Sequence, residues 1–206
     1  MAFDILALIS LLIVITLLRR MVSIFPSLMA CMVRSKESSN LETSIKLSND
    51  RDRLAFAMII PFILVATRFR LYSPTFMDGM DEGIRICVIA GVFITYILLR
   101  AALNHLMRPH RMKSGVYSTA GKAAYTFFII LTLALLATGG IMSFVDAGFP
   151  SIHNAMIWLS GGIYLLFMIR KCQIFLTSCS IFTAFLYLCA LEIFPTGILV
   201  VSAIIF

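Results

Sequence analysis

One carboxylate, Glu192, stands in the 22 apolar residues Phe185 to Phe206 (FLYLCALEIFPTGILVVSAIIF), with Pro195 three positions after it. A carboxylate can carry a proton, hold a cation or pair with a base. Inside hydrocarbon an unpaired one is costly, so an acid in such a stretch is a functional-site hypothesis by default. Three readings stay open. Glu192 is an ordinary acid closing a helix at the outer interface, or a proton, ion or substrate site, or one half of an ion pair. For the pair, Arg68 and Arg70 are the candidate partners on the same side.

Hydroxyls offer a second candidate. At 100° per residue, Thr177, Ser180, Thr183 and Tyr187, with Gln173 before them, fall within about a third of one helical circumference. Such a face packs against another helix through hydroxyl hydrogen bonds or lines a pathway, and Glu192 lies off its edge. Gly139-Gly140 and Gly161-Gly162 are expected to let their two helices approach closely. Arg108, His110, Arg111 and Lys113 form a basic loop suited to anionic lipid headgroups.

Other chemistry finds little support. His105 and His110 fall in that loop while His153 falls at the opposite end of the next span, so no two histidines share a depth for haem, and no cofactor is expected. GVYSTAGK (Gly115 to Lys122) has five residues between its glycines and Ala123 after the lysine, whereas a phosphate-binding loop takes four and a Ser or Thr. No HExxH or GxSxG pattern occurs, which makes an enzyme the weakest reading. The five cysteines sit in or beside apolar runs with no CxxC pair, as small hydrophobes do, with no disulfide or metal framework implied.

The elements that must position these residues follow from composition. Of the 206 residues 61% are hydrophobic and 13% charged, with mean hydropathy +1.00; a soluble domain carries about 45–50% apolar and about 25% charged residues. The chain reads as an all-α polytopic transmembrane helix bundle. Its apolar runs are 3–18, 54–67 (with Pro61 inside), 86–103, 123–145, 154–169 and roughly 172–191, which gives six spanning helices. A short seventh segment after Pro195 is left open, either returning into the bilayer or continuing the sixth helix. Residues 21–33, broken by Pro26, suit an interfacial helix. The polar stretch 34–53 reads as a linker, so residues 1–53 are set apart from a bundle of residues 54–206.

Orientation follows from the basic residues. With the N-terminus outside, fourteen of the 17 fall in cytoplasmic segments, including Arg100, Arg170 and Lys171, and only Arg68, Arg70 and Arg85 fall outside. That asymmetry obeys the positive-inside rule and explains the net charge of +7 without nucleic acid. The expected surroundings are a cell inner membrane with anionic headgroups, and a membrane-protein partner or a second copy of the chain.

YLCALEIFP (Tyr187 to Pro195), with the Arg170-Lys171 turn and apolar span before it, resembles an uncharacterised family of small polytopic membrane proteins from Bacteroidota, a domain of unknown function. The likeness extends over most of residues 50–206. It implies location and topology, and no activity. The leading functional expectation is a structural or accessory component of a cell-envelope assembly. The alternative is a small transporter or proton-coupled permease using Glu192 and the polar face of the sixth helix.

Overall fold

Within a bilayer every backbone N–H and C=O must be satisfied by the protein itself, which leaves helices as the available form for apolar runs of this length. A computed structural model describes residues 2–34, 37, 41–77, 79–106, 114–146, 148–177 and 179–205, and among them there is no strand. The helices are α1 (Ala2–Val33), α2 (Ile45–Ala57), α3 (Ile59–Arg68), α4 (Glu82–Leu106), α5 (Ser114–Phe144), α6 (Phe149–Leu176), α7 (Ile181–Leu188) and α8 (Phe194–Ile205). A π-helical turn, Cys189–Ile193, joins the last two.

Among the described residues, five segments are long and apolar enough to cross a membrane: Phe3–Val33, Glu82–Leu106, Gly115–Phe144, Phe149–Leu176 and Ile181–Ala203. Their outer faces carry large apolar side chains, such as Leu8, Leu12 and Ile15 on α1 and Trp158, Leu165 and Ile169 on α6. Charged Arg51, Lys171 and Glu192 are buried instead. Apolar groups outside and paired charges inside invert the soluble pattern. The protein is an all-α, multi-pass membrane helix bundle.

Three boundaries differ from expectation. Residues 21–33 continue α1 through Pro26; Ile24, Leu28 and Cys31, spaced along one helical face, are buried against Leu54 and Met58 and against Ile129 and Ile130 of α5. The apolar run 54–67 is divided between α2 and α3 at Met58. Pro61 has no N–H to give the carbonyl of Ala57, so the rod kinks there. At 10 residues α3 is too short to cross alone, and residues 45–53 of the supposed linker are helical.

The third difference matters most. Arg170 and Lys171 do not form a turn; α6 runs past them to Leu176. The final rod therefore begins at Ile181, not near 172, and residues after Pro195 continue it. The closest partnership in the bundle joins α5 to α6, whose Ala120, Ala123, Phe127, Ile163, Phe167 and Phe175 share a core with Ala184 and Leu188 of α7. Gly139 allows part of this approach, since a Cβ there would lie 2.8 Å from the Met156 methyl and 2.9 Å from the Phe69 ring. Gly140, Gly161 and Gly162 face open space, so the two glycine pairs do not meet.

Candidate functional site: a buried ion cluster

The π turn sets Glu192. Pro195 cannot donate to a carbonyl behind it, and its ring crowds the carbonyl four residues back. The helix widens for one turn, and the Phe194 N–H reaches back to the Cys189 carbonyl, five residues away. Leu191 and Glu192 both turn inward, and the Glu192 side chain is 0% exposed. The Tyr164 hydroxyl donates to the Glu192 carbonyl at 3.2 Å. Turns of this kind are frequent at functional sites.

Two cations meet this acid on a single oxygen. Lys171 Nζ and Arg100 Nη2 both donate to Glu192 Oε1. Lys171 is 1% exposed and Arg100 17%. Lys171 sits one turn from Phe167 and one turn from Phe175, and its ammonium lies 5.7 Å from each ring. The Arg100 guanidinium lies 5.4 Å from the Phe167 ring as well. One aromatic ring thus serves both cations, as cation–π geometry allows.

The cluster is incompletely satisfied. Glu192 Oε2 and Arg100 Nε are buried and have no hydrogen-bond partner. With all three groups ionised the cluster carries a net charge of +1. Four residues before Arg100, the Tyr96 hydroxyl pairs with that of Thr196, four residues after Glu192, at 3.2 Å. Tyr72 and Ser202 pair at 3.0 Å farther along the rod. The Arg100–Glu192 and Tyr96–Thr196 contacts set α4 and the final rod antiparallel, and Tyr72 meets the rod farther on from the turn after α3.

A cavity of about 470 Å³ adjoins the cluster. Arg100, Tyr96, Tyr164 and Thr196 line it beside the cluster, and Phe62, Phe93 and other apolar side chains line most of the rest, with Tyr72 and Ser160 among them.

The expected partners lie elsewhere. Ser202 is level with Tyr72 just after α3, and Ser202 is ten residues, about 15 Å of helix, from Glu192. Arg68 and Arg70 belong to that far end, where the Arg68 guanidinium lies 5.4 Å from the Phe3 ring and Arg70 takes a positive φ of 50° in the turn. The hydroxyl stripe is divided by the break between α6 and α7. Thr177 bonds back to the Ile174 carbonyl at 2.7 Å, and Ser180 caps α7 while pairing with Thr183 at 2.9 Å. Tyr187 packs near Phe175 with ring centroids 6.4 Å apart. Arg108, His110, Arg111 and Lys113 lie outside the described residues.

A second charge cluster joins the polar stretch before α3 to the N-terminal part of α5. Glu42 receives Lys122 Nζ at 2.9 Å and Arg51 Nη1, with Ser48 beside them. Burial alone would raise the Glu42 carboxyl, but the hydrogen bonds from Lys122 and Arg51 outweigh it and hold it below its ordinary value.

The family described as Domain of unknown function (DUF4271) matches residues 5–202. The chain belongs to this family. The match reaches α1 as well as the stretch around Glu192, more than the 50–206 expected from the sequence. No curated protein and no solved structure matches.

For one of the two missed cations the sequence carried a faint signal. Lys171 has Phe167 and Phe175 at four residues on either side and only QIFL following Cys172. A charge flanked in that way belongs to a helix interior rather than a loop.

Proposed function

We propose that this protein is a small proton-coupled permease of a cell inner membrane, with Glu192 as its proton carrier. The observation that carries the reading is a fully buried acid whose Oε1 holds two cations while its Oε2 is bare. Ionisable groups within spans mark ion and substrate pathways, and interrupted helices at such sites recur in transporters. The groups facing Glu192 are Arg100 from α4 and Lys171 and Tyr164 from α6, with Tyr96 beside Arg100 and Cys189 earlier in the same π turn. A proton on Oε2 removes the only anion among them and raises the cluster from +1 to +2. An anionic solute is then held more tightly, so proton and anion move in the same direction. The π turn and Pro195 supply a place for the final rod to bend.

The basic end of the bundle faces the cytoplasm and the N-terminus lies outside. With Arg100 and Lys171 assigned to the cluster, the sequence count remains twelve basic residues against three, in line with the positive-inside rule. A structural or accessory role in a cell-envelope assembly draws on the hydroxyl face, whose Thr177 and Ser180 serve as helix caps; the buried cluster favours the permease.

Labelling tests the reading without a known solute. With the other four cysteines replaced, Cys189, three residues before Glu192, should react with a membrane-impermeant thiol reagent from both faces of oriented vesicles. In the Glu192→Gln/Lys171→Met double variant it should react from one face only. A Cys189 that is unreactive from both faces at every pH tested contradicts a permease and leaves a structural ion cluster.

A further inference from the structure

We propose that two cavities, one on each side of the rings of Phe62, Phe93 and Phe128, are halves of a single solute pathway, and that these rings are the barrier between them. This deepens the permease reading, on which it rests, by assigning a route and its gate. The larger half is the cavity of about 470 Å³ beside the ion cluster, and the smaller holds about 190 Å³. Along α4 the larger is lined from Ile89 to Arg100 and the smaller from Phe93 to Asn104. Along α5, which runs back, the limits are Leu131 to Ala124 and Phe128 to Gly121. On both helices the smaller cavity is shifted by about one turn toward the end where α4 leads into α5. The two therefore lie in tandem along the bundle. From Ile89 to Asn104 they cover fifteen residues of α4, about 22 Å of helix, against a hydrocarbon core of about 30 Å. Leu71 and Tyr72, in the turn after α3, line the far end of the larger, and Asn104, two residues before α4 ends, lines the smaller. A pocket for a lipid tail would end blind inside the bundle; this pair reaches toward both ends.

Phe93 and Phe128 line both cavities, so each ring has a cavity on either side. Ring centroids are 4.8 Å apart for Phe62 and Phe93, 5.3 Å for Phe62 and Phe128, and 5.6 Å for Phe93 and Phe128. At such spacings aromatic rings are in contact, which leaves no passage between them. The three rings come from α3, α4 and α5, so displacing any one helix parts the barrier. Phe62 directly follows Pro61, where the kink gives α3 a place to swing. Arg100 and Tyr96 also border both cavities, so the partner of Glu192 stands where the two halves meet.

The test uses the full chain with its five native cysteines replaced, in oriented vesicles, with a small anionic methanethiosulfonate that does not cross the bilayer. Gly121→Cys reports on the smaller cavity and Ser160→Cys on the larger; a Cβ on Gly121 meets nothing within 4 Å. Gly121→Cys should react only from the basic face and Ser160→Cys only from the opposite one. Adding Phe128→Ala should raise the rate from the silent face at least tenfold for each. Phe93→Ala opens the barrier from another helix and should act likewise, so that one poorly folded variant does not decide the outcome. Leu131→Ala, which trims the larger cavity away from the three rings, should leave both reactions one-sided. Reaction of either cysteine from both faces with the rings intact overturns the barrier. One-sided reaction in both alanine variants overturns the role of the rings, and two unreactive cysteines overturn the pathway. The permease fails separately: a Cys189 silent from both faces, beside cavity cysteines that behave as expected, sinks the permease and upholds the barrier. A Cys189 reactive from both faces with both cavity cysteines silent does the reverse.

Discussion

Glu192 carries two cations on one oxygen, so the three charges stand or fall together. Removing the acid alone leaves Lys171 and Arg100 buried without a counter-charge, and breaking a buried pair from one side costs about 3–5 kcal/mol. Glu192→Gln should lose stability of that order in thermal or denaturant unfolding. Glu192→Gln/Lys171→Met restores the net charge of +1 and should recover most of it, a non-additivity that a double-mutant cycle reads directly. Equal losses in the single and double variants would mean that the charges do not interact. Glu42 makes a separate prediction. Its folded-state pKa lies below the ordinary 4.5, because hydrogen bonds from Lys122 and Arg51 outweigh burial. A depressed carboxyl contributes stability that is fully present above 4.5 and is lost as pH falls through the lower, folded value. The thermal midpoint of the wild type should therefore drop on acidification below pH 4.5, and Glu42→Gln should flatten that limb. At this scale Glu192 stood out in the sequence as a lone acid in an apolar run. Its partners did not, because Arg100 and Lys171 looked like the loop cations that fix orientation.

At the scale of elements, two neighbouring glycines separate packing from propensity. A Cβ on Gly139 meets Met156 at 2.8 Å and the Phe69 ring at 2.9 Å, whereas one on Gly140 meets nothing within 4 Å. Gly139→Val should cost about 1–3 kcal/mol through overpacking, and Gly140→Ala should be neutral or gain up to about 1 kcal/mol of helix propensity. Reversed signs in an unfolding experiment would refute the α5–α6 packing described. Sequence patterning found the apolar runs but misjudged their ends. Arg170-Lys171 mimics a cytoplasmic turn, yet α6 continues for five residues beyond Lys171 because the lysine is solvated by Glu192 and two aromatic rings instead of water. Once α6 absorbs that stretch, the hydroxyl face divides into a C-terminal cap and an N-terminal cap. The π turn was not legible either, since its cause, Pro195, equally well marks a helix end.

For the whole molecule, the class was plain from composition: a chain this apolar can bury its surface only in lipid. The number of spans was less so, because α2 and α3 form a rod kinked at Met58 in which neither helix is long and apolar enough alone. With the basic end in the cytoplasm, an epitope at the N-terminus should be cleaved by protease added to intact cells, and cleavage only after lysis would reverse the orientation. The most direct measurement of the central claim is labelling of Cys189, with the other four cysteines replaced, by a membrane-impermeant thiol reagent from each face of oriented vesicles. Reaction from both faces is expected in this background and with Glu42→Gln added, and from one face only with Glu192→Gln/Lys171→Met. Reaction from both faces in the double variant, or from neither face without it, would contradict the permease.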